Sequence, residues 1–125
     1  MKNSNNIGYK GETAVEKYLR RRFYRILERN YKCHWGEIDI IAQKGKHICF
    51  IEVKTRGENS IGRPAEFVTE DKQFKVIKSA YAYLKKNPSK LMARFDVAEV
   101  YVIGNKFKID YIDNAFDVND KNYYS

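Results

Sequence analysis

The amino-acid sequence predicts an α/β or α+β domain around one mixed β-sheet. Two segments repeat apolar residues at helical spacing, five shorter ones alternate or run apolar as strands do, and their order is α-β-β-β-α-β-β. The 125 residues, 43% of them hydrophobic, suffice for one core and are few for two, and no repeat or Pro/Gly-rich linker divides them.

The first helix is expected from Tyr9 to Arg22, where Gly11, Ala14, Val15, Tyr18 and Leu19 recur on one side and Lys10, Glu16, Lys17, Arg20 and Arg21 lie mostly around the other. Tyr24 to Tyr31 mixes β-formers with charges, Cys33 to Gly36 reads as a turn or bulge, and Glu37 to Gln43 is an apolar strand. After a tight turn at Lys44-Gly45-Lys46, His47 to Thr55 is the strongest strand in the chain; both of its faces begin apolar, which places it centrally in the sheet. A long loop from Arg56 to Pro64 leads to a second helix, Glu70 to Lys86. Thr69 is its N-cap, Phe74, Ile77, Tyr81 and Leu84 form its apolar stripe, and its polar side is basic. Phe95 to Ile103 and Phe107 to Tyr111 form a closing hairpin around Gly104-Asn105. Residues 1–6 and 117–125 are expected to be flexible termini.

No apolar run approaches the ~18 residues of a membrane span, mean hydropathy is −0.67, and the polar start of the chain lacks the pattern of a secretory signal. A cytoplasmic protein without a membrane partner is expected, with Cys33 and Cys49 as free thiols. A zinc site from Cys33, His34, His47 and Cys49 is disfavoured because no Cys-x-x-Cys pair exists. Lys and Arg outnumber Asp and Glu by 24 to 16, for a net charge of +8 and a pI near 9.4. Such a balance draws polyanions and puts nucleic acid first among partners, although it also serves solubility alone.

The chemistry concentrates on the central strand. A buried strand should not carry charges without partners, because ionised groups lose several kcal/mol of hydration there; yet Glu52 and Lys54 sit at its end. If Lys44-Gly45 is a two-residue hairpin loop, Gln43 pairs with Lys46, Ile41 with Ile48 and Asp39 with Phe50. Asp39 then shares a sheet face with Glu52 and Lys54, with the two acids diagonal neighbours roughly 7–8 Å apart at the backbone. Two convergent carboxylates suit a hard divalent cation such as Mg²⁺, and a lysine beside them can hold a water or neutralise charge on a phosphate. Glu12, at the edge of the first helix's apolar stripe, is placed to complete the site. The plainer readings are an i, i+2 ion pair for Glu52 and Lys54, a helix-dipole role for Glu12, and a ligand, a supporting acceptor or a solvated strand residue for Glu37. Asp96 is expected to pair with Arg94 or a backbone amide, and Trp35 is expected to be a partly buried turn aromatic.

Gly11-Glu12 with Ala14, then Gly36-Glu37-Ile38-Asp39-Ile40-Ile41-Ala42, then Phe50-Ile51-Glu52-Val53-Lys54-Thr55-Arg56 resembles the restriction-endonuclease-like superfamily, whose signature is an Asp followed by Glu-x-Lys. More narrowly, these segments together with Gly62-Arg63-Pro64-Ala65-Glu66, Lys72, Arg94-Phe95-Asp96-Val97 and Asn114-Ala115-Phe116 resemble the bacterial YraN-like family of uncharacterised endonuclease-like proteins, itself similar to archaeal Holliday-junction resolvases. The resemblance implies a restriction-endonuclease-like fold, with Glu12, Asp39 and Glu52 as acidic residues for Mg²⁺ or Mn²⁺, Lys54 as the catalytic lysine and Lys72 as an auxiliary basic position. The expected function is metal-dependent hydrolysis of phosphodiester bonds in DNA, branched or single-stranded, in repair or recombination, with RNA as the alternative polymer. Lys72, Lys75, Arg56 and Arg63 are the expected nucleic-acid contacts, and a homodimer follows if junctions are cut. The competing class is a nucleic-acid-binding module that keeps the fold without turnover.

Overall fold

The structure, a computed structural model, describes residues 6–57 and 68–117. Its elements follow the expected order: α1 (Ile7–Arg21), β1 (Arg25–Cys33), β2 (Gly36–Lys44), β3 (His47–Arg56), α2 (Glu70–Lys86), β4 (Met92–Ile103) and β5 (Lys106–Phe116). The Arg63 contact and the terminal segments expected from the sequence lie outside the described residues, apart from Asn6 and Asp117. Among the described residues no helix is long and apolar enough to cross a membrane, and both cysteines are free.

The five strands form one sheet in the order β1-β2-β3-β4-β5. All neighbours are antiparallel except β3 and β4, which run parallel and are joined through α2. A parallel pair cannot be closed by a tight turn, so the chain must cross over, and α2 is that crossover. On one side of the sheet Val76, Ile77, Ala80 and Tyr83 of α2 pack with Ile41, Ile48, Phe50 and Phe95. On the other, Val15 and Leu19 of α1 pack with Ile40, Ala42, Cys49, Ile51, Ala98 and Val100. With both faces covered, β3 is the central strand its two-sided apolar pattern predicts.

The β2–β3 hairpin departs from the expected register. Its loop is Gly45-Lys46 rather than Lys44-Gly45, so Lys44 pairs with His47, Ile41 with Phe50 and Ile40 with Ile51. Gly45 takes the first loop position at φ 57°, a left-handed conformation that favours glycine. The offset is two residues, an even number, so the face of every β3 side chain is unchanged.

Helix caps fix the helix limits. Asn6 starts α1 earlier than the apolar pattern suggests, its side chain accepting from Gly8 N–H at 2.7 Å and Tyr9 N–H at 3.4 Å. Thr69 caps α2 as expected, accepting from Lys72 N–H at 3.2 Å. At the C-terminus of α1, Phe23 N–H donates to Arg20 O and Tyr24 N–H to Leu19 O, a closure that places Phe23 at φ 66°. Asp96, fully buried, accepts two bonds at 2.9 Å from Arg94 and one from Asn114 N–H at 2.9 Å, and it also accepts from the Tyr111 hydroxyl. The expected Arg94 partnership is therefore present, and the bonds from Tyr111 and Asn114 tie β4 to β5.

Phe23 is 87% exposed, so its side chain contributes little packing while its left-handed backbone costs energy that glycine would not incur. Phe23→Gly is expected to raise stability by about 1 kcal/mol, read as a higher urea midpoint at unchanged slope; an unchanged or lower midpoint would refute the strain.

Candidate active site

The sheet opens where β2 and β3 part. Their pairing ends at Ile40 and Ile51, and beyond it Asp39 turns its carboxylate into the gap, where Oδ2 accepts from Val53 N–H at 2.8 Å. Side-chain alternation in β2 breaks at this residue: Ile38 packs with the α2-side core, while Ile40, two positions on, packs with the α1-side core. The break carries Asp39 toward α1 rather than keeping it on a regular strand face.

Glu12 of α1 and Glu37 of β2 meet Asp39 there, each offering a carboxylate oxygen within 4.8 Å of the others. Oxygens on opposite sides of a Mg²⁺ stand about 4.2 Å apart at ordinary bond lengths of about 2.1 Å, so small side-chain rotations suffice to fit the three acids to such a cation. Glu12 is 3% exposed and is brought down onto the sheet by Gly11, where an added Cβ would lie 2.5 Å from Thr55 Oγ1. Arg29 of β1 lies beside the acids, 3.5 Å from Glu12 and 3.3 Å from Glu16. Arg29 also donates to Thr13 Oγ1 at 3.3 Å.

Glu52 stands outside the group of three acids, toward α2, with Glu37 close enough to act on its charge. Its Oε1 lies 3.5 Å from Lys72 Nζ of α2, and its Oε2 is buried with no hydrogen-bond partner among the described residues. Burial pushes the Glu52 carboxyl above its ordinary pKa; Lys72 and then Lys54 pull it back, while Glu37 pushes it up. Asp39 meets Glu12 of α1 while Glu52 meets Lys72 of α2, and Glu37 joins the first group and acts on the second. Glu37, weighed as secondary in the sequence, completes the acid group in place of Glu52.

Lys54, half-buried, lies beside Glu99 in the parallel register of β3 and β4. Arg56 does not present a free guanidinium for nucleic acid. It is 3.1 Å from Glu99, which also accepts from Tyr101 Oη at 2.9 Å, and a carboxylate 1% exposed needs such a cation. Lys75 remains exposed, with a solvated i, i+4 pair to Asp71 at 3.2 Å. Arg29 and Glu99 were not among the expected site residues. The charge of Glu99 inside the run Val97-Ala98-Glu99-Val100-Tyr101-Val102 was a legible signal of a buried pair. Burial pushes the Cys49 thiol up to about 12, so it is protonated at neutral pH.

Two outcomes follow from this geometry. Gly11→Ala is expected to cost about 1–3 kcal/mol by overpacking, lowering the thermal midpoint; a midpoint equal to the parent's would show that α1 is not seated by Thr55. Because the native state holds a proton on Glu52 more tightly than the unfolded chain does, stability is highest with Glu52 protonated and declines as pH rises through the window above the ordinary glutamate value. Glu52→Gln is expected to flatten the decline of the thermal midpoint as pH rises above the ordinary glutamate value, and parallel curves for parent and variant would contradict it.

Comparison with known proteins agrees with the extent of this structure. A family model described as "Uncharacterised protein family UPF0102" matches residues 11–100, a stretch that runs from Gly11 through the acid group and β3 into β4. A UPF0102 protein of Alkaliphilus metalliredigens is 46% identical over 114 residues, covering 90% of this chain and 99% of its own. A UPF0102 protein of Geobacter metallireducens is 44% identical over 114 residues, covering 90% and 93%, and one of Clostridium perfringens 43% identical over 120 residues, covering 94% and 98%. With the match spanning residues 11–100 and every residue of the acid group, this chain belongs to the uncharacterised protein family UPF0102.

Proposed function

We propose that the protein is an endonuclease that hydrolyses phosphodiester bonds in DNA, branched or single-stranded, with Mg²⁺ or Mn²⁺ as cofactor, on a restriction-endonuclease-like fold similar to that of archaeal Holliday-junction resolvases. The observation that carries this reading is the meeting of Glu12, Glu37 and Asp39 at the point where β2 and β3 separate, at the end of the strand that also carries Glu52 and Lys54. An all-oxygen donor set favours a hard divalent cation over zinc or copper. When bound, such a cation polarises the scissile phosphate and lowers the pKa of a coordinated water.

The chain's own residues supply the rest. Asp39, held by the Val53 amide, and Glu12, seated by Gly11, fix donors from separate elements in one place, which lowers the reorganisation needed to bind a cation. The unpartnered Oε2 of Glu52 is a further donor that a cation or an ordered water would satisfy. Lys54 brings a cationic ammonium to the same strand end, suited to holding a water or countering charge on the phosphate. Lys72 screens Glu52 and reaches it from the basic side of α2.

One feature favours a second reading, a nucleic-acid-binding module without turnover: Glu52 is paired with Lys72 and stands outside the acid group. The two separate experimentally. The purified protein is expected to nick branched or single-stranded DNA with Mg²⁺ or Mn²⁺, Glu52→Gln and Lys54→Ala are expected to lower the rate by at least about a hundredfold, an effect of the size seen when a positioned polar group is removed, and Asp39→Asn is expected to abolish saturable Mn²⁺ binding in calorimetry. Cleavage that survives in both Glu52→Gln and Lys54→Ala would eliminate the assignment. DNA binding without any cation-dependent cutting would select the binding module.

A further inference from the structure

Away from the acids, a groove of about 750 Å³ runs between α1 and the β4–β5 hairpin. All of its charged lining residues are cationic: Lys10, Lys17, Arg21 and Arg22 from the helix and Lys106 from β5. Each of the five is exposed. Lys10, Lys17 and Arg21 are spaced seven and four apart, which at 100° per residue aligns them in one stripe roughly 16 Å long. Between the cations lie the half-buried rings of Tyr9, Tyr18 and Phe107. Tyr18 stacks on Tyr111 with centroids 5.8 Å apart, and the Arg22 guanidinium sits 3.5 Å over the Tyr18 ring.

We infer that this groove binds an unpaired nucleic-acid strand. Cations aligned in a row track a phosphate backbone, and the Phe107 ring recessed among them, beside the Tyr18 ring already covered by Tyr111 and Arg22, offers stacking surface that bases locked in a duplex cannot reach. A neutral or basic peptide would gain nothing from a row of cations, and an acidic peptide, though attracted by them, lacks the planar bases that the recessed aromatic rings suit.

The groove also has a direction. Gly11 packs on Thr55 near the end of β3, and Lys106 follows the hairpin beyond the Tyr101–Arg56 register. The Lys10 and Lys106 end therefore lies at the same end of the sheet as Glu12 and Asp39. The Arg21 and Arg22 end lies at the opposite one, where Lys44 Nζ donates to Arg22 O at 2.6 Å. Thr13 and Tyr9 line the groove and also touch Arg29, itself 3.5 Å from Glu12. A strand held along α1 thus leads toward the acids. This deepens the nuclease reading by naming an unpaired strand as the substrate feature engaged, and it rests on that reading only for where the strand leads.

The test is fluorescence anisotropy of the full chain with a labelled 12-nucleotide oligo-dT and with a 12-bp duplex, in EDTA so that no cleavage intervenes. The parent is expected to bind the strand more tightly than the duplex. Lys10→Ala/Lys17→Ala/Arg21→Ala is expected to weaken strand binding at least tenfold and to reduce the salt slope by about two, since each phosphate contact on a single strand contributes about 0.7. These side chains are exposed, and unchanged circular dichroism melts establish that the variant is folded. Unchanged strand affinity in the triple variant overturns the inference. So does an equal loss for strand and duplex, which assigns the stripe to duplex phosphates. Conversion of a dimer to a monomer by the triple substitution, seen by light scattering, also overturns it, by assigning the groove to a second copy. Groove-dependent strand binding by a parent that cuts nothing with Mg²⁺ or Mn²⁺ supports the groove while removing the nuclease reading.

Discussion

The bond from Val53 N–H to the Asp39 carboxylate is the constraint on which the geometry of the sheet's open end depends. A strand that leaves its partner exposes backbone amides, and a buried amide without an acceptor costs about 1–3 kcal/mol. Asp39 supplies the acceptor from its side chain, so β2 can diverge from β3 at the cost of one carboxylate drawn into the gap. That same carboxylate is what Glu12 and Glu37 approach. The fork in the sheet and the gathering of acids are one event seen from two sides.

The structure handles its other buried charges differently. Asp96 and Glu99, at 0% and 1% exposure, are each matched by an arginine that is itself largely enclosed, Arg94 and Arg56. Tyrosine hydroxyls donate to both. Such pairs add directionality, since a planar guanidinium fixes orientation as well as charge. Glu52 has a lysine whose side chain is 41% exposed, a looser partner that leaves one of its oxygens unmatched. The contrast separates charges that brace strands from a charge that retains capacity for a ligand.

Much of this was legible in the residues. The helical stripes, the two-sided apolar character of β3, the Thr69 cap and the Arg94–Asp96 pairing all follow from local pattern and from the cost of burying charge. The hairpin register was misjudged by two positions because Lys44-Gly45 and Gly45-Lys46 are both chemically adequate loops, and only packing across the sheet selects one. The pairing of Glu52 with Lys72 and the entry of Glu37 into the acid group were not legible, because period-two alternation assumes a regular strand and β2 is irregular at Asp39 itself. Arg29 escaped notice because a charge on a mixed, half-buried strand looks ordinary until the helix above it is known to carry Glu12 and Glu16. The Arg56 ion pair escaped notice for a related reason: its position at a loop edge suggested solvent, whereas its register with Tyr101 sets it beside Glu99.

The chain order of the sheet has a kinetic meaning. Every neighbouring pair of strands is joined by a short turn except the parallel β3–β4 pair, whose ends are separated by residues 57–91. Closing a segment of that length costs about 3 kcal/mol of chain entropy before any contact repays it, several times the cost of a two-residue hairpin. The three-strand meander and the terminal hairpin are each built from contacts local in sequence, and their union along β3 and β4 is the pairing of greatest sequence separation, the kind that slows folding. Until that union forms, Lys54 has no Glu99 beside it and the two halves of the molecule carry their charges separately.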